Sequence, residues 1–249
     1  MISIQGFHKA YDQTVAVHDL TFEVEPGNVL GLVGPNGAGK TTTLRALAGI
    51  IPTSQGTMCI AGNDIDKSPV EAKLRLAYVP DDPQLFRDLT VEQNLAFTAS
   101  AYQVANPDSK ALELLETFQL TPKRQALVSE LSRGMRQKLA ICCAYLHAPQ
   151  ALLLDEPITG LDPHGIRMFK NSVVQQADRG CAVIISSHLL SVVEDICTHV
   201  LILNSGQQRF CGSLDDFRST FAADNSSASL EEVYFLATDQ ADSPAEVNC

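Results

Sequence analysis

The stretch GPNGAGKTT, Gly34 to Thr42, follows the apolar segment VLGLVG and precedes a helical pattern. A strand, a glycine-rich loop and a helix start in this order predict a phosphate-binding loop, whose backbone N–H groups and helix dipole favour an anion. Lys40 is expected to reach the β- and γ-phosphates of a nucleotide, and Thr41 to bind Mg²⁺ through its hydroxyl. A glycine turn without a ligand is the alternative, but the order of the three elements favours a nucleotide site. The predicted nucleotide-binding residues are Gly34, Pro35, Asn36, Gly37, Ala38, Gly39, Lys40, Thr41 and Thr42.

A second stretch, QALLLDEP from Gln150 to Pro157, ends an apolar run in two adjacent carboxylates. The run predicts a strand buried on both faces of a parallel sheet, so Asp155 and Glu156 emerge at its carboxyl end, where ligands bind. A strand end that simply reaches solvent is the alternative for this pair. Beside a nucleotide, however, hydrolysis needs one acid near the metal ion and one base near the attacking water. Asp155 is therefore the predicted metal ligand and Glu156 the predicted catalytic base.

The composition limits the class of protein. With 249 residues, 45% of them apolar, the chain can bury a core and suits one domain or a domain with a subdomain. Its net charge of -11 opposes a nucleic-acid-binding surface, which needs clustered cations. The cysteines show no metal-ligand spacing, which favours reduced thiols. Neither a signal peptide nor a membrane span is visible in the sequence, so we expect a soluble, intracellular chain.

Beyond about residue 30, strand-like segments alternate with helical patterns, which predicts an α/β fold with a parallel sheet. The expected buried strands are VLGLVG, LAYVP, ALLLD, AVIISS and HVLILN, and NSGQ leads the last of them into a hairpin partner, QQRFCG. The beginning of the chain differs. ISIQGF and the segment in which Leu20, Phe22 and Val24 alternate with polar residues predict antiparallel strands with one exposed face.

Residues 83–149 carry no strand pattern and predict a helical insert. One apolar stripe in this insert has helical spacing and indicates core packing rather than a cofactor site. The stripe consists of Ala111, Leu114, Leu115 and Phe118. The main domain is expected to cover residues 1–221, and residues 222–249 to form a linker, a short amphipathic segment, LEEVYFLAT, and a polar tail.

Three further motifs follow in order: LSRGM at 131–135, GLDP at 160–163 and SSH at 186–188. Alone, the first is weak, because a serine at a helix start is also an ordinary N-cap. Together with GPNGAGKTT and LLLDEP, these motifs resemble the ATP-binding subunit of an ABC transporter, and the similarity runs from Ile2 to about Gly212. The resemblance implies a P-loop NTPase fold of ABC type, with a parallel-sheet ATP-binding core, an antiparallel β subdomain and a helical subdomain.

The resemblance also implies that two subunits sandwich two ATP molecules. Ser132 and Gly134 would contact the γ-phosphate held by the phosphate loop of the other subunit, and Asp162 would connect the two sites. His188, rather than being a structural histidine, would hold the γ-phosphate and the attacking water as a catalytic residue. Tyr11 lies where the family places an aromatic ring that stacks on adenine; a tyrosine in the protein core is the alternative.

The sequence departs from the family's pattern in two segments. The usual LSGGQ reads LSRGM here, with Arg133 in place of a glycine and Met135 in place of the glutamine. The glutamine that usually follows YVP is replaced by Asp81. A carboxylate binds Mg²⁺ directly or through water, so Asp81 is a predicted metal ligand and the timing of hydrolysis is expected to change. Variants of this type resemble bacterial export-type subunits, which favours export.

The sequence therefore predicts an ATPase that dimerises around ATP and Mg²⁺ and powers solute transport by a separate integral membrane permease. We expect it in the cytoplasm, peripherally bound to the cytoplasmic face of the membrane through that permease, as a homodimer or heterodimer. The alternative is a soluble ABC ATPase that acts with a cytosolic scaffold, as in iron–sulfur cluster assembly. A GTP switch is disfavoured because the chain has no Asn-Lys-x-Asp segment.

The permease is expected to dock in the groove between the helical insert and the core, near residues 81–87. The resemblance implies that partner helices insert beside this loop. Leu85 and Phe86 supply the apolar contact in one interpretation and belong to the subunit's own core in the other.

Overall fold

The computed structural model of the chain describes residues 1–221 and 230–234. The strands are β1 (Ile2–Tyr11), β2 (Thr14–Val24), β3 (Val29–Val33), β4 (Gln55–Ile60), β5 (Asn63–Asp64), β6 (Leu76–Val79), β7 (Ala151–Asp155), β8 (Ala182–Ser186), β9 (His199–Asn204) and β10 (Gln207–Ser213). Six of them form one sheet in the order β10-β9-β3-β8-β7-β6, parallel except for the β9–β10 hairpin. The predicted parallel sheet and its closing hairpin are confirmed.

The second sheet is antiparallel and has the order β2-β1-β4-β5. Strands β1 and β2 confirm the antiparallel start of the chain. Strands β4 and β5 had no predicted counterpart. In β4, Met58 and Ile60 are the only two buried side chains, and the strand begins with the pair Gln55 and Gly56, so its alternating pattern is too short to stand out.

The helices are α1 (Lys40–Leu47), α2 (Pro69–Leu74), α3 (Val91–Ala101), α4 (Pro107–Thr117), α5 (Arg133–Leu146), α6 (Pro163–Asp178), α7 (Leu190–Ile196) and α8 (Leu214–Phe221). Helices α3 to α5 and two single 3-10 turns, Thr121–Lys123 and Val128–Glu130, lie between β6 and β7, where a helical insert is predicted. Leu115 and Phe118 are buried, and Ala111 and Leu114 pack beside them, so the predicted apolar stripe is part of the core.

The six-stranded sheet is covered on both faces. Leu152 and Leu154 belong to one apolar cluster, whereas Ala151 and Leu153 on the same strand belong to another. Because successive side chains of a strand point to opposite faces, β7 separates two cores. The prediction of a strand buried on both faces is confirmed. Because both faces of the strand are apolar, its polar residue, Asp155, stands at the last position.

Residues 230–234 are helical, and Leu230 and Val233 are buried in the same cluster as Leu214 and Phe217 of α8. This is the described part of the predicted amphipathic segment, and its apolar positions pack as the pattern requires. The predicted linker at 222–229 and the polar tail at 235–249 lie outside the described residues. Within 1–221 and 230–234, no helix combines the length and the apolar character that crossing a membrane requires.

Candidate nucleotide-binding site

The phosphate loop needs glycine at its first and last bends. Gly34 directly follows β3, and a Cβ placed on it would lie 2.2 Å from the carbonyl oxygen of Leu203. Gly39 has a φ of +106°, and a Cβ there would lie 2.7 Å from the carbonyl oxygen of Ala16. Any side chain at either position would collide with backbone, so the close path of the loop around its cavity depends on both glycines.

Lys40 is the first residue of α1, and its side chain is largely buried. Its Nζ donates to the carbonyl oxygens of Gly34 at 2.6 Å and Pro35 at 3.1 Å. Burial lowers the pKa of Lys40, while the charges of Glu156 and Asp155 act in the opposite direction. The N-cap is Gly39, which has no side chain to satisfy the first N–H groups of the helix. The start of α1 is therefore suited to an anion.

A cavity of about 300 Å³ adjoins this loop. It is lined by Ala16, by residues 36–42 of the phosphate loop, and by Asp81 and Glu156. The structure therefore brings the predicted base and one predicted metal ligand to the predicted phosphate-binding residues, although more than 100 positions of sequence separate the loop from Glu156.

Asp155 is held by three hydroxyl groups and is only 2% exposed. The Oγ of Ser186 donates to its Oδ1 at 2.6 Å, and Thr41 Oγ1 donates to the same oxygen at 3.2 Å. The hydroxyl of Tyr78 lies 3.4 Å from Oδ2. Burial and the neighbouring carboxylate raise the pKa of Tyr78 to about 12, so this phenol remains a donor at neutral pH.

The donor set around Asp155 fits a magnesium ion that is shared with a nucleotide. Within the described residues, no cluster of three His, Cys, Asp or Glu side chains could hold a metal by itself. Mg²⁺ is typically bound by one or two carboxylates together with substrate phosphates and water. Thr41 and Asp155 supply a hydroxyl and a carboxylate in direct contact at the edge of the phosphate loop, which are the oxygen ligands that such an ion requires.

Glu156 lies in a left-handed backbone conformation, with a φ of +47°. Its N–H donates to Oγ of Ser186 at 3.0 Å and to the carbonyl oxygen of Ser186 at 3.2 Å, which fixes this turn. The side chain points elsewhere: Oε2 lies 2.8 Å from Nδ1 of His188. The two predicted catalytic residues therefore contact each other, and the imidazole orients the carboxylate that lines the phosphate cavity.

The residues of LSRGM and GLDP lie outside the cavity. Among its described lining residues, none comes from the segment 131–139. Ser132 is the N-cap of α5 and accepts from Met135 N at 3.3 Å, as predicted for this serine. Gly134 packs against the carbonyl of Gly160, where a Cβ would lie at 2.5 Å. Asp162 is the N-cap of α6, with its Oδ1 3.0 Å from Gly165 N.

Tyr11 ends β1 and is 47% exposed, so the alternative of a core tyrosine is wrong. Nζ of Lys9 lies 5.3 Å from the centroid of its ring, within the range of a cation–π contact. The other face of an exposed ring in this position can accept a planar partner.

The family model of the ABC transporter matches residues 17–159. The chain belongs to this family, and we refer to it as the cassette. The cassette is 30% identical over 96% of its length to the ABC-type transporter ATP-binding protein EcsA of Bacillus subtilis, and covers 96% of that protein. It is 32% identical to the linearmycin resistance ATP-binding protein LnrL of the same species, over 90% of the cassette and 73% of LnrL. A Nod factor export ATP-binding protein I of Cupriavidus metallidurans is 33% identical, over 84% of the cassette and 69% of that protein.

Solved structures agree with this assignment. A structure described as the ATP-binding subunit of an ABC transporter superposes with a TM-score of 0.90 and 32% identity, covering 96% of the cassette and 99% of that chain. A dimeric ATP-binding cassette bound to ADP and Pi has a TM-score of 0.77 at 20% identity, over 86% and 99% of the two chains, which shows a shared fold. The cassette is thus an ATP-binding subunit and ATPase of ABC type, and the predicted fold class is confirmed.

The sequence did not reveal two hydroxyl groups that contact Asp155, those of Ser186 and Tyr78. Ser186 is the last residue of β8 and Tyr78 the next-to-last residue of β6, and both strands are adjacent to the strand that ends in Asp155. The available signal was a polar residue at or next to the end of an otherwise apolar strand, as in AVIIS and LAYV. Because parallel strands end at one edge of a sheet, such residues converge on the same site.

A groove of about 220 Å³ lies where the cassette's helical insert meets its core, lined by residues that include Pro80, Leu85, Phe86, Phe97 and His147. Phe86 is 51% exposed and packs edge-on against Phe97, with ring centroids 4.6 Å apart. Leu85 packs against the core instead. Leu85 is partly buried against the core and also lines the groove, whereas Phe86 is exposed, so both remain candidates for the predicted apolar contact.

Proposed function

We propose that the cassette hydrolyses ATP as one half of a dimer and powers the export of a solute through a separate membrane permease, at the cytoplasmic face of the membrane. One observation carries the proposal: Lys40, the phosphate loop and Glu156 line one cavity, and His188 holds the Glu156 carboxylate. The names of two relatives, which refer to Nod factor export and linearmycin resistance, support export.

In the proposed reaction, Lys40 binds the β- and γ-phosphates as a point charge, and the N–H groups at the start of α1 bind the same phosphates. Glu156 accepts a proton from the attacking water, while His188 keeps the Glu156 carboxylate oriented and contacts the γ-phosphate. Thr41 and Asp155 would hold Mg²⁺, which neutralises phosphate charge when it is bound. Asp81 faces the same cavity and is the third proposed residue of the metal environment.

A second cassette completes each site in this proposal. Ser132 and Gly134 do not reach the cavity of their own phosphate loop, so the N-terminus of α5 would bind the γ-phosphate held by the other subunit. Asp162, at the start of α6, would connect the two sites. The exposed ring of Tyr11 would stack on adenine. A second copy of this chain or a related cassette would supply the partner surface.

The proposed permease contact is the groove beside the loop that follows β6. Phe86 and Phe97 present exposed aromatic rings there, and aromatic residues are enriched at interface centres. A short helix of the permease that buried both rings would contact the same loop that carries Asp81. ATP binding and the position of the permease would then be linked through this loop.

Replacement of Glu156 by glutamine tests the catalytic part of the proposal. Removing a general base typically lowers a rate by about 10²–10⁴-fold, whereas ATP binding should be retained because Lys40 and Asp155 are unchanged. Steady-state ATPase assays and equilibrium ATP binding measure the two quantities. Glu113→Gln, at an exposed position of α4, is the control for removing a carboxylate. Parent-level turnover of Glu156→Gln would exclude Glu156 as the base.

Replacement of Phe86 by glutamate tests the permease contact. The variant should be released from membranes when it is co-expressed with the membrane protein encoded beside it, and should still bind ATP. Leu74→Glu on α2 is a matched control, because Leu74 is also 51% exposed but lies outside the groove. Membrane association that Phe86→Glu leaves intact would reject this groove. Co-purification of the parent with a cytosolic scaffold instead would favour a soluble ABC ATPase.

A further inference from the structure

The two departures from the family's pattern meet in space. Arg133, the first residue of α5, donates from Nη2 to Oδ1 of Asp81 across 3.2 Å, and 50% of each side chain is exposed. The residues are 52 positions apart, and nothing in the sequence indicates that they pair. Arg133 of the LSRGM segment and Asp81 after β6 therefore form one ion pair.

Asp81 also lines the phosphate cavity, together with Lys40 and Glu156. A carboxylate at the wall of a cavity for phosphate groups repels them, and the repulsion is stronger where solvent is partly excluded. The guanidinium of Arg133 offsets this charge. Without that partner, Asp81 would depend on a bound cation for neutralisation.

The guanidinium is held in place by its own stem. The Cγ and Cδ atoms of Arg133 lie over Gly160, each 3.1 Å from the position that a Cβ of Gly160 would occupy. The next residue, Gly134, abuts the carbonyl of Gly160. Arg133 thus lies between the loop that carries Asp81 and the loop that follows Asp155 and Glu156. Its guanidinium stays charged at any physiological pH and places that charge beside the Asp81 carboxylate.

We propose that Arg133 is a positioning residue for nucleotide binding: it holds Asp81 at the wall of the phosphate cavity and supplies the positive charge that this carboxylate would otherwise draw from Mg²⁺. The proposal deepens the function proposed above and rests on the nucleotide site assigned there. It predicts the direction of each effect: removing the Arg133 cation and removing the Asp81 anion should change the affinity for nucleotide in opposite directions.

The test measures the affinity for the non-hydrolysable analogue AMP-PNP at low ionic strength, with EDTA and with saturating Mg²⁺. Arg133→Gln should weaken metal-free binding by up to about five-fold, because Asp81 then has no positive partner. It should also increase the gain, that is, the rise in AMP-PNP affinity that Mg²⁺ produces. Asp81→Asn should strengthen metal-free binding by a similar factor and reduce that gain. The double variant should return both values to near those of the parent, and Arg133→Lys, which keeps the charge, should resemble the parent. Arg87→Gln, a charge removal on the same loop, should change the gain by less than Arg133→Gln.

The proposal fails if the two single variants shift metal-free binding in the same direction, or if the double variant does not return to near the affinity of the parent. It would also fail if Arg133→Lys behaved like Arg133→Gln, because the position rather than the charge would then matter. A loss of the Mg²⁺ gain in Asp81→Asn, with Arg133→Gln unchanged, would make Asp81 a direct metal ligand without need of Arg133. The nucleotide site is tested separately: if Lys40→Ala strongly weakens binding while these variants do nothing, the site stands and the pairing has no role.

Discussion

Ser186 links the two adjacent acids, and its replacement by alanine should damage both. Its buried Oγ donates to Asp155 Oδ1 at 2.6 Å and accepts from Glu156 N at 3.0 Å. A hydrogen bond to a charged group contributes about 1.5–3 kcal/mol. Asp155 keeps its bonds to Thr41 and Tyr78, and Glu156 N keeps the Ser186 carbonyl at 3.2 Å, so the lower part of that range applies. We expect a loss of about 1.5–2 kcal/mol in unfolding free energy, or about 3–8 °C in Tm for a chain of this size.

The ATPase rate should fall as well, because the same bonds orient Asp155, the proposed metal ligand, and Glu156, the proposed base. If the whole loss also applies to the transition state, turnover decreases by about 10- to 30-fold, since each 1.36 kcal/mol is a factor of ten. Ser187→Ala is a close control: Ser187 is equally buried, but its Oγ contacts only backbone atoms of Leu189, at 3.0 and 3.4 Å. Ser187→Ala should cost about 1 kcal/mol of stability and leave turnover near that of the parent. Equal turnover in the two variants would refute the argument that Ser186 acts through the acids.

Three further outcomes are expected. Lys40→Ala should weaken ATP binding by about 10- to 100-fold in equilibrium assays, because a charged contact to phosphate is lost. Gly39→Ala should lower the Tm by more than Gly180→Ala: both glycines have positive φ, but only at Gly39 would the new methyl meet backbone, with nothing within 4 Å at Gly180. Burial lowers the pKa of His147 below its ordinary 6.5, so the unfolded chain takes up the proton first and stability decreases as the pH falls below about 6.5. His147→Gln should therefore show a smaller Tm difference between pH 7.5 and pH 5.5 than the parent in thermal melts; an unchanged difference would contradict this contribution.

The sequence predicted the parts of the fold that repeat a simple pattern. The strands β3, β6, β7, β8 and β9 are short apolar runs, and burial on both faces makes such runs visible without any alternation. Strand β4 has only Met58 and Ile60 turned inward, and β5 is two residues long, so neither produces a period that can be recognised. Local pattern therefore reveals a strand where burial is continuous or where alternation extends over several residues, as it does in β2.

The sequence predicted the part of the candidate site that lies within one motif. It did not predict the part in which residues from several strands come together. Gly39, Lys40 and Thr41 lie on one loop and helix start, so their spacing in sequence fixes their spacing in space. Ser186 and Tyr78 reach Asp155 from two other strands, which depends on the order β8-β7-β6 and on register. Strand order is a tertiary property, so pairs such as Arg133 and Asp81 emerge only from the assembled fold.

The backbone at Glu156 explains how two neighbouring carboxylates can have different tasks. Asp155 is the last residue of β7 and turns its side chain to the hydroxyls at the edge of the sheet. A continued strand would point Glu156 to the opposite face, into the apolar core beneath the sheet. The left-handed φ of +47° instead ends the strand and directs the carboxylate to His188 and the phosphate cavity. A non-glycine residue in this region costs about 1–3 kcal/mol, and here the two bonds to Ser186 offset that strain. The strain is therefore located where it separates the proposed metal ligand, Asp155, from the proposed base, Glu156, which is the arrangement that hydrolysis of a nucleotide requires.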